Sequence, residues 1–191
     1  MSQLTLQTER TRKYQFKNPS ISTWKMSDNR KVILLPGGAD NDKIQVSRKA
    51  AEMSNLIADM LREDEDDEPE IPLPNVQRVT LEKVVEFCEK HAEDPMPRIV
   101  RPIKSADMVE VVGEWDAKFI DLEQTMLFNV ILAANYLDLS DLLDLGCAKI
   151  ASMIKGKTPD EIKDLFHIEK NATPEEEDQI KKENQWIFEV N

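Results

Sequence analysis

Residues 124–145, Gln-Thr-Met-Leu-Phe-Asn-Val-Ile-Leu-Ala-Ala-Asn-Tyr-Leu-Asp-Leu-Ser-Asp-Leu-Leu-Asp-Leu, are the most apolar stretch of an otherwise very polar chain, and any fold must place them first. Met126, Leu127, Val130, Ile131, Ala134 and Leu137 recur at helical spacing, and Phe128, Leu132, Ala133 and Tyr136 fill much of the other face. A helix apolar nearly all round is expected to be buried. Ser140 offers an N-cap for a second helix, whose stripe is Leu142, Leu143, Cys147, Ile150 and Ile154. The central helix thus delivers Asn135 and Tyr136 to a tight corner.

The charge of the chain is divided along its length. Residues 1–31 carry seven basic and two acidic groups, and the remainder holds 18 basic and 35 acidic ones, a net of −17. A body this acidic repels phosphate backbones and excludes direct nucleic-acid binding outside the tail. No segment reaches the roughly 18 to 20 apolar residues of a membrane span, and the first residues do not form a signal peptide. Cys88 and Cys147 each fall on an apolar helical stripe and read as reduced core residues of an intracellular protein.

Taken in order, residues 1–31 lack a sustained apolar period and are expected to be a mostly disordered basic tail. Val32-Ile33-Leu34-Leu35 reads as a buried strand, Pro36 to Asp42 as a turn, and Ile44 and Val46 as a second strand, together a hairpin. Met53, Leu56, Ile57, Met60 and Leu61 mark an amphipathic helix over it. After the acidic run from Glu63 to Glu68, Ile71-Pro72-Leu73-Pro74 supports only an edge strand, because each proline removes a ladder donor. Thr80 is expected to cap a helix with Leu81, Val84, Val85 and Cys88 on one face. Residues 93–113, interrupted by three prolines, read as a long flexible loop, and Trp115, Phe119 and Leu122 as a short helix.

The C-terminal part is written in capping signals. Lys155-Gly156-Lys157 supplies a glycine C-cap; Thr158-Pro159-Asp160-Glu161 and Thr173-Pro174-Glu175-Glu176 each place a capping Thr, a first-turn Pro and a box-closing Glu. Thr173 also completes the sequon Asn171-Ala172-Thr173, which we read as a helix cap. The first helix offers Ile162, Leu165 and Phe166; the second is densely charged apart from Ile180, Trp186, Ile187 and Val190. Two short helices with so few apolar groups do not offset their own ordering, so another protein is expected to complete them.

No constellation for catalysis emerges. Cys88 and His91 at i, i+3 would need Cys147 and His167 to complete a four-ligand zinc site, and five glycines form no phosphate cradle. The acidic run lacks the spaced ligands of a calcium loop. The residues therefore describe a binding protein, with no metal and no cofactor expected.

Asn135-Tyr136-Leu137-Asp138, Met153-Ile154-Lys155-Gly156-Lys157-Thr158-Pro159 and Lys182-Glu183-Asn184-Gln185-Trp186 resemble the S-phase kinase-associated protein 1 family, adaptors of cullin and F-box ubiquitin ligases. The resemblance runs nearly without gaps from Trp115 to Trp186 and more loosely from Val32 to His91. It implies an α+β, BTB/POZ-type fold with a small three-stranded sheet and packed helices at 32–157, and a helical F-box-binding extension at 158–191. It implies cullin binding at Asn135 and Tyr136. For F-box proteins it implies Leu143, Cys147, Ile150, Ile154, Pro159, Ile162, Phe166, Ile168 and Trp186. Some members are hydroxylated and then glycosylated at a proline matching Pro174. The expected protein is a non-catalytic adaptor of a cullin-RING (SCF) ligase in ubiquitin-dependent degradation, cytoplasmic and nuclear, weakly dimeric when free. A self-associating BTB scaffold and an elongin C-like adaptor are the alternatives. The basic tail has no counterpart in the family pattern, and residues 93–113 are less acidic than usual there.

Overall fold

The computed structural model describes residues 30–38, 43–63, 68–168 and 173–184. Strand β1 (Lys31–Gly37) alternates exposed or half-buried residues with buried Val32, Leu34 and Pro36, the period of a strand with one face on a core. It pairs antiparallel with β2 (Ile44–Ser47), Leu34 opposite Ile44, so the hairpin forms as expected. Strand β3 (Glu70–Gln77) adds parallel to the other side of β1, giving the order β2-β1-β3. It is an edge strand that buries Ile71, Leu73 and Val76 while Pro72 and Pro74 stay exposed. Near the end of β1 a Cβ on Gly37 would lie 1.9 Å from the Pro74 carbonyl oxygen, so only glycine admits this approach.

Helices cover the sheet. Short α1 (Arg48–Ala51), capped by Ser47, is followed by a break at Glu52-Met53-Ser54 and then α2 (Asn55–Glu63). Met53 therefore precedes the helix it was expected to join, and Met60 faces out; Ile57 and Leu61 do the burying. Helix α3 (Arg78–Glu93) starts two residues before Thr80, which is buried inside the first turn instead of capping it; Gln77 holds the cap position without a side-chain bond. Phe87, Leu81 and Val84 of α3 reach the centre of the core.

The span 93–113 is more organised than a flexible loop. It buries Ile99, forms α4 (Met108–Val112) capped by Asp107, and turns at Gly113 into α5 (Glu114–Phe119). The apolar stretch becomes α6 (Gln124–Tyr136) and α7 (Ser140–Ile154), packed against each other and, through α6, against α3. Glu123 caps α6 by accepting from the amides of Thr125 and Met126. Ser140 opens α7 without capping it, since Leu139 holds that position. Two capped helices follow, α8 (Pro159–Leu165) and α9 (Pro174–Glu183). Both expected capping boxes form, Thr158 with Glu161 and Thr173 with Glu176.

Candidate functional site

Helix α6 departs most from the sequence reading. Leu127, Val130, Ala133 and Ala134 are buried, but Phe128, Leu132 and Tyr136, at i, i+4 and i+8, are exposed by 39%, 66% and 37%. A helix apolar all round is thus buried on one side only, and the other side is an uncovered stripe. Such an arrangement marks a surface awaiting a partner. Phe128 and Leu132 were missed as site residues because periodicity alone cannot tell a second buried face from an exposed sticky one. The legible signal was the i, i+4, i+8 spacing they share with Tyr136.

The end of α6 is fixed by backbone bonds. The amide of Leu139 donates to the Ala134 carbonyl at 2.9 Å and that of Asp138 to the Asn135 carbonyl at 3.3 Å, with Asp138 at φ 51°. This is a Schellman closure with aspartate in the left-handed position that glycine usually fills. The start of α2 braces it. Buried Ser54 donates its hydroxyl to the Leu137 carbonyl at 2.5 Å, and Asn55 Nδ2 donates to Asp138 Oδ2 at 2.9 Å. Asn135 and Tyr136 are therefore held exposed at a corner tied to the start of α2.

At the other end of the stripe the rings of Phe128 and Phe166 lie 6.0 Å apart, which sets α8 against α6. Helix α8 closes in the same way as α6: the Ile168 amide donates to the Lys163 carbonyl at 2.9 Å and the His167 amide to that of Asp164 at 3.3 Å, with His167 at φ 52°. Ile168 is left 53% exposed. Along α7, Leu143, Ile150 and Ile154 are half-buried, whereas Cys147 is exposed and not a core residue as expected. Ile162 and Phe166 are half-buried and Pro159 is exposed, so α8 contributes no fully buried residue. Pro174 occupies the first helical position of α9, and Trp186 lies outside the described residues.

Elsewhere the titratable groups serve structure. Burial and neighbouring Glu89 push the Cys88 thiol up to about 12, so at neutral pH it is a protonated, buried thiol. His91 has both ring nitrogens occupied, Nδ1 by the Asp94 carbonyl at 2.7 Å and Nε2 by Asp116 Oδ1 at 2.9 Å. Among the described residues no group of three or more His, Cys, Asp or Glu side chains is placed to hold a metal ion, and no helix is long and apolar enough to cross a membrane.

A three-stranded sheet of order β2-β1-β3 under packed helices, continued by a helical extension beside an exposed apolar stripe, defines an α+β protein of BTB/POZ type. Residues 32–93 match the Skp1 family tetramerisation domain (POZ) and residues 140–187 the Skp1 family dimerisation domain. The chain is 50% identical over 161 residues to the S-phase kinase-associated protein 1 homolog of Tetrahymena thermophila, covering 84% of this chain and 95% of that protein. It is 46% identical over 151 residues to the E3 ubiquitin ligase complex SCF subunit sconC of Arthroderma benhamiae, covering 79% and 92%. With sconC of Aspergillus flavus the identity is 48% over 149 residues, covering 78% and 91%. The chain belongs to the Skp1 family.

Proposed function

We propose that this protein is the adaptor subunit of an SCF ubiquitin ligase, bridging a cullin to F-box substrate receptors without an active site of its own. The observation that carries the proposal is the stripe on α6, exposed along its length and ending at two differently built surfaces. Similarity over 79% and 78% of the chain to relatives named as SCF subunits supports the same reading. Residues 32–157 would form the cullin-binding domain, with Leu132, Asn135 and Tyr136 at the contact. Residues 158–191, with the α7 positions Leu143, Cys147, Ile150 and Ile154, would form the F-box side. Pro159, Ile162, Phe166, Ile168 and Trp186 belong to that side, and Phe128 joins them through Phe166.

The adaptor contributes proximity. Joining receptor and scaffold on one rigid body turns an encounter in solution into an intramolecular one. The same uncovered apolar positions support weak self-association when partners are absent, and the ligase role carries a cytoplasmic and nuclear location. Pro174, at the start of α9, is the position we assign to hydroxylation, detectable as an added oxygen by mass spectrometry.

Capture assays with purified cullin and F-box fragments test the division. Tyr136→Ala, an aromatic truncation worth about 2 kcal/mol or more at an interface centre, is expected to lose the cullin and keep the F-box fragment. A chain ending at residue 157 is expected to do the reverse. If either change abolishes both interactions, the separation of surfaces is wrong.

A further inference from the structure

Within the segment between α3 and α5, which is neutral as a whole, the basic groups are gathered at residues 98–104. Residues 95–105 contain Arg98, Arg101 and Lys104 and no acidic residue, inside a body of net charge −17. The segment is built in place. Ile99, Met108 and Val112 enter the core, Lys155 at the end of α7 donates to the Ile103 carbonyl at 3.2 Å, and Arg101 pairs with Asp144 of α7. Between its extended part and α4 lies an open cleft of about 240 Å³ lined by Val100, Ile103 and Val111, with Arg98 and Lys104 and, on α4, Glu110. Val100 is 66% exposed, and among the described residues neither Arg98 nor Lys104 has an ion-pair partner.

We propose that this cleft docks an acidic peptide segment carrying one aliphatic or aromatic anchor, contributed by the same protein that occupies α7 and α8. The partner assignment rests on the F-box reading above. Size favours a side chain over a metabolite, since small-molecule sites usually enclose about 300–1,000 Å³. Charge favours carboxylates: Arg101 is engaged by Asp144, which leaves two cations against the single Glu110. A bare anion would leave Val100 and Ile103 in water, and nucleic acid would meet the acidic body. The ties of the segment, Asp144 on α7 and Lys155 just past its end, place the cleft beside the helix that carries the proposed F-box positions.

The test uses the full chain with labelled Val and Ile methyl groups, titrated with a short synthetic peptide of Asp and Glu around one Leu. Control peptides replace the acids by Lys or the Leu by Ala. The methyl signals of Val100, Ile103 and Val111 are expected to move with the acidic Leu peptide only. Arg98→Glu combined with Lys104→Glu, or salt of about 0.5 M, is expected to weaken binding about tenfold or more. Shifts elicited equally by the Lys peptide, or insensitive to charge reversal, would overturn the site. Capture of an F-box fragment is measured in parallel with and without an acidic flank. Equal capture of both fragments by wild type and by the charge-reversed chain overturns the partner assignment and leaves the adaptor reading standing. Failure to capture either fragment, with the peptide still bound, overturns the adaptor reading and leaves the cleft.

Discussion

Individual residues show most directly how partners distant in sequence fix a role. His91 reads in the chain as a neighbour of Cys88 and a remote metal ligand; in the fold its ring lies between a carbonyl that only accepts and the buried carboxylate of Asp116, 25 residues on. With both ring nitrogens hydrogen-bonded, the buried His91–Asp116 pair ties α3 to α5. Trp115 packs edge-on at 5.3 Å and Phe87 at 4.5 Å, which keeps water out. His91→Ala leaves the Asp116 carboxylate buried without its partner and is expected to cost about 3–5 kcal/mol in urea denaturation. A loss below about 1 kcal/mol would show that the pair does not hold these helices together. The cysteines were legible only in part: Cys88 and Cys147 share the same kind of stripe, yet only Cys88 is covered. Stripe membership does not reveal which neighbour arrives to cover it.

At the level of elements, the contact between α6 and α7 depends on a residue with no side chain. A Cβ on Gly146 would lie 2.5 Å from Ile131 Cγ1, close to the branch of a packed side chain and not at a flexible tip. Gly146→Ala gains about 1 kcal/mol of helix propensity but forces the helices apart, and overpacking of this kind costs about 1–3 kcal/mol. We expect a net loss of stability in urea, and Ile131→Ala in the same chain should make the glycine replacement less costly; additive losses would rule out the clash. Helix α8 depends instead on its cap. The Thr158 amide bonded to Glu161, then the Thr158 hydroxyl and Lys157, hold the Glu161 carboxyl below its ordinary value. A depressed folded value means that the cap's contribution is complete above the ordinary glutamate range and is lost as pH falls through the folded one. Amide signals of α8 should therefore lose helical character on acidification, and Glu161→Gln should flatten that response. An unchanged acid response in the variant would remove Glu161 from the cap. Both boxes were readable in the sequence because capping is local; Thr80 and Ser140 looked equally suitable, but the cap positions fall three residues before Thr80, at Gln77, and one before Ser140, at Leu139.

At the scale of the whole molecule, the chain is a packed body from β1 to α7 with α8 laid on it through few contacts. Because α8 buries no residue fully, the ring contact that ending the chain at 157 removes among the described residues is the Phe128–Phe166 pair, worth about 1 kcal/mol. For a protein of this size that is a fall of about 2–4 °C in Tm by calorimetry; a fall beyond about 10 °C would place α8 in the core. The amino-acid sequence by itself determined the hairpin, the edge strand with its prolines and both C-terminal capping boxes, because each rests on bonds or periodicities spanning a few residues; the BTB/POZ-type class came instead from the resemblance of longer motifs to a known family. The tertiary structure alone decided that α6 is covered on one face, that residues 95–112 are tied to α7, and that Ser54 and Asn55 brace the corner at Leu137 and Asp138, 83 residues away. Those outcomes depend on which surfaces meet, and a linear pattern of apolar residues states how much must be buried but not by what.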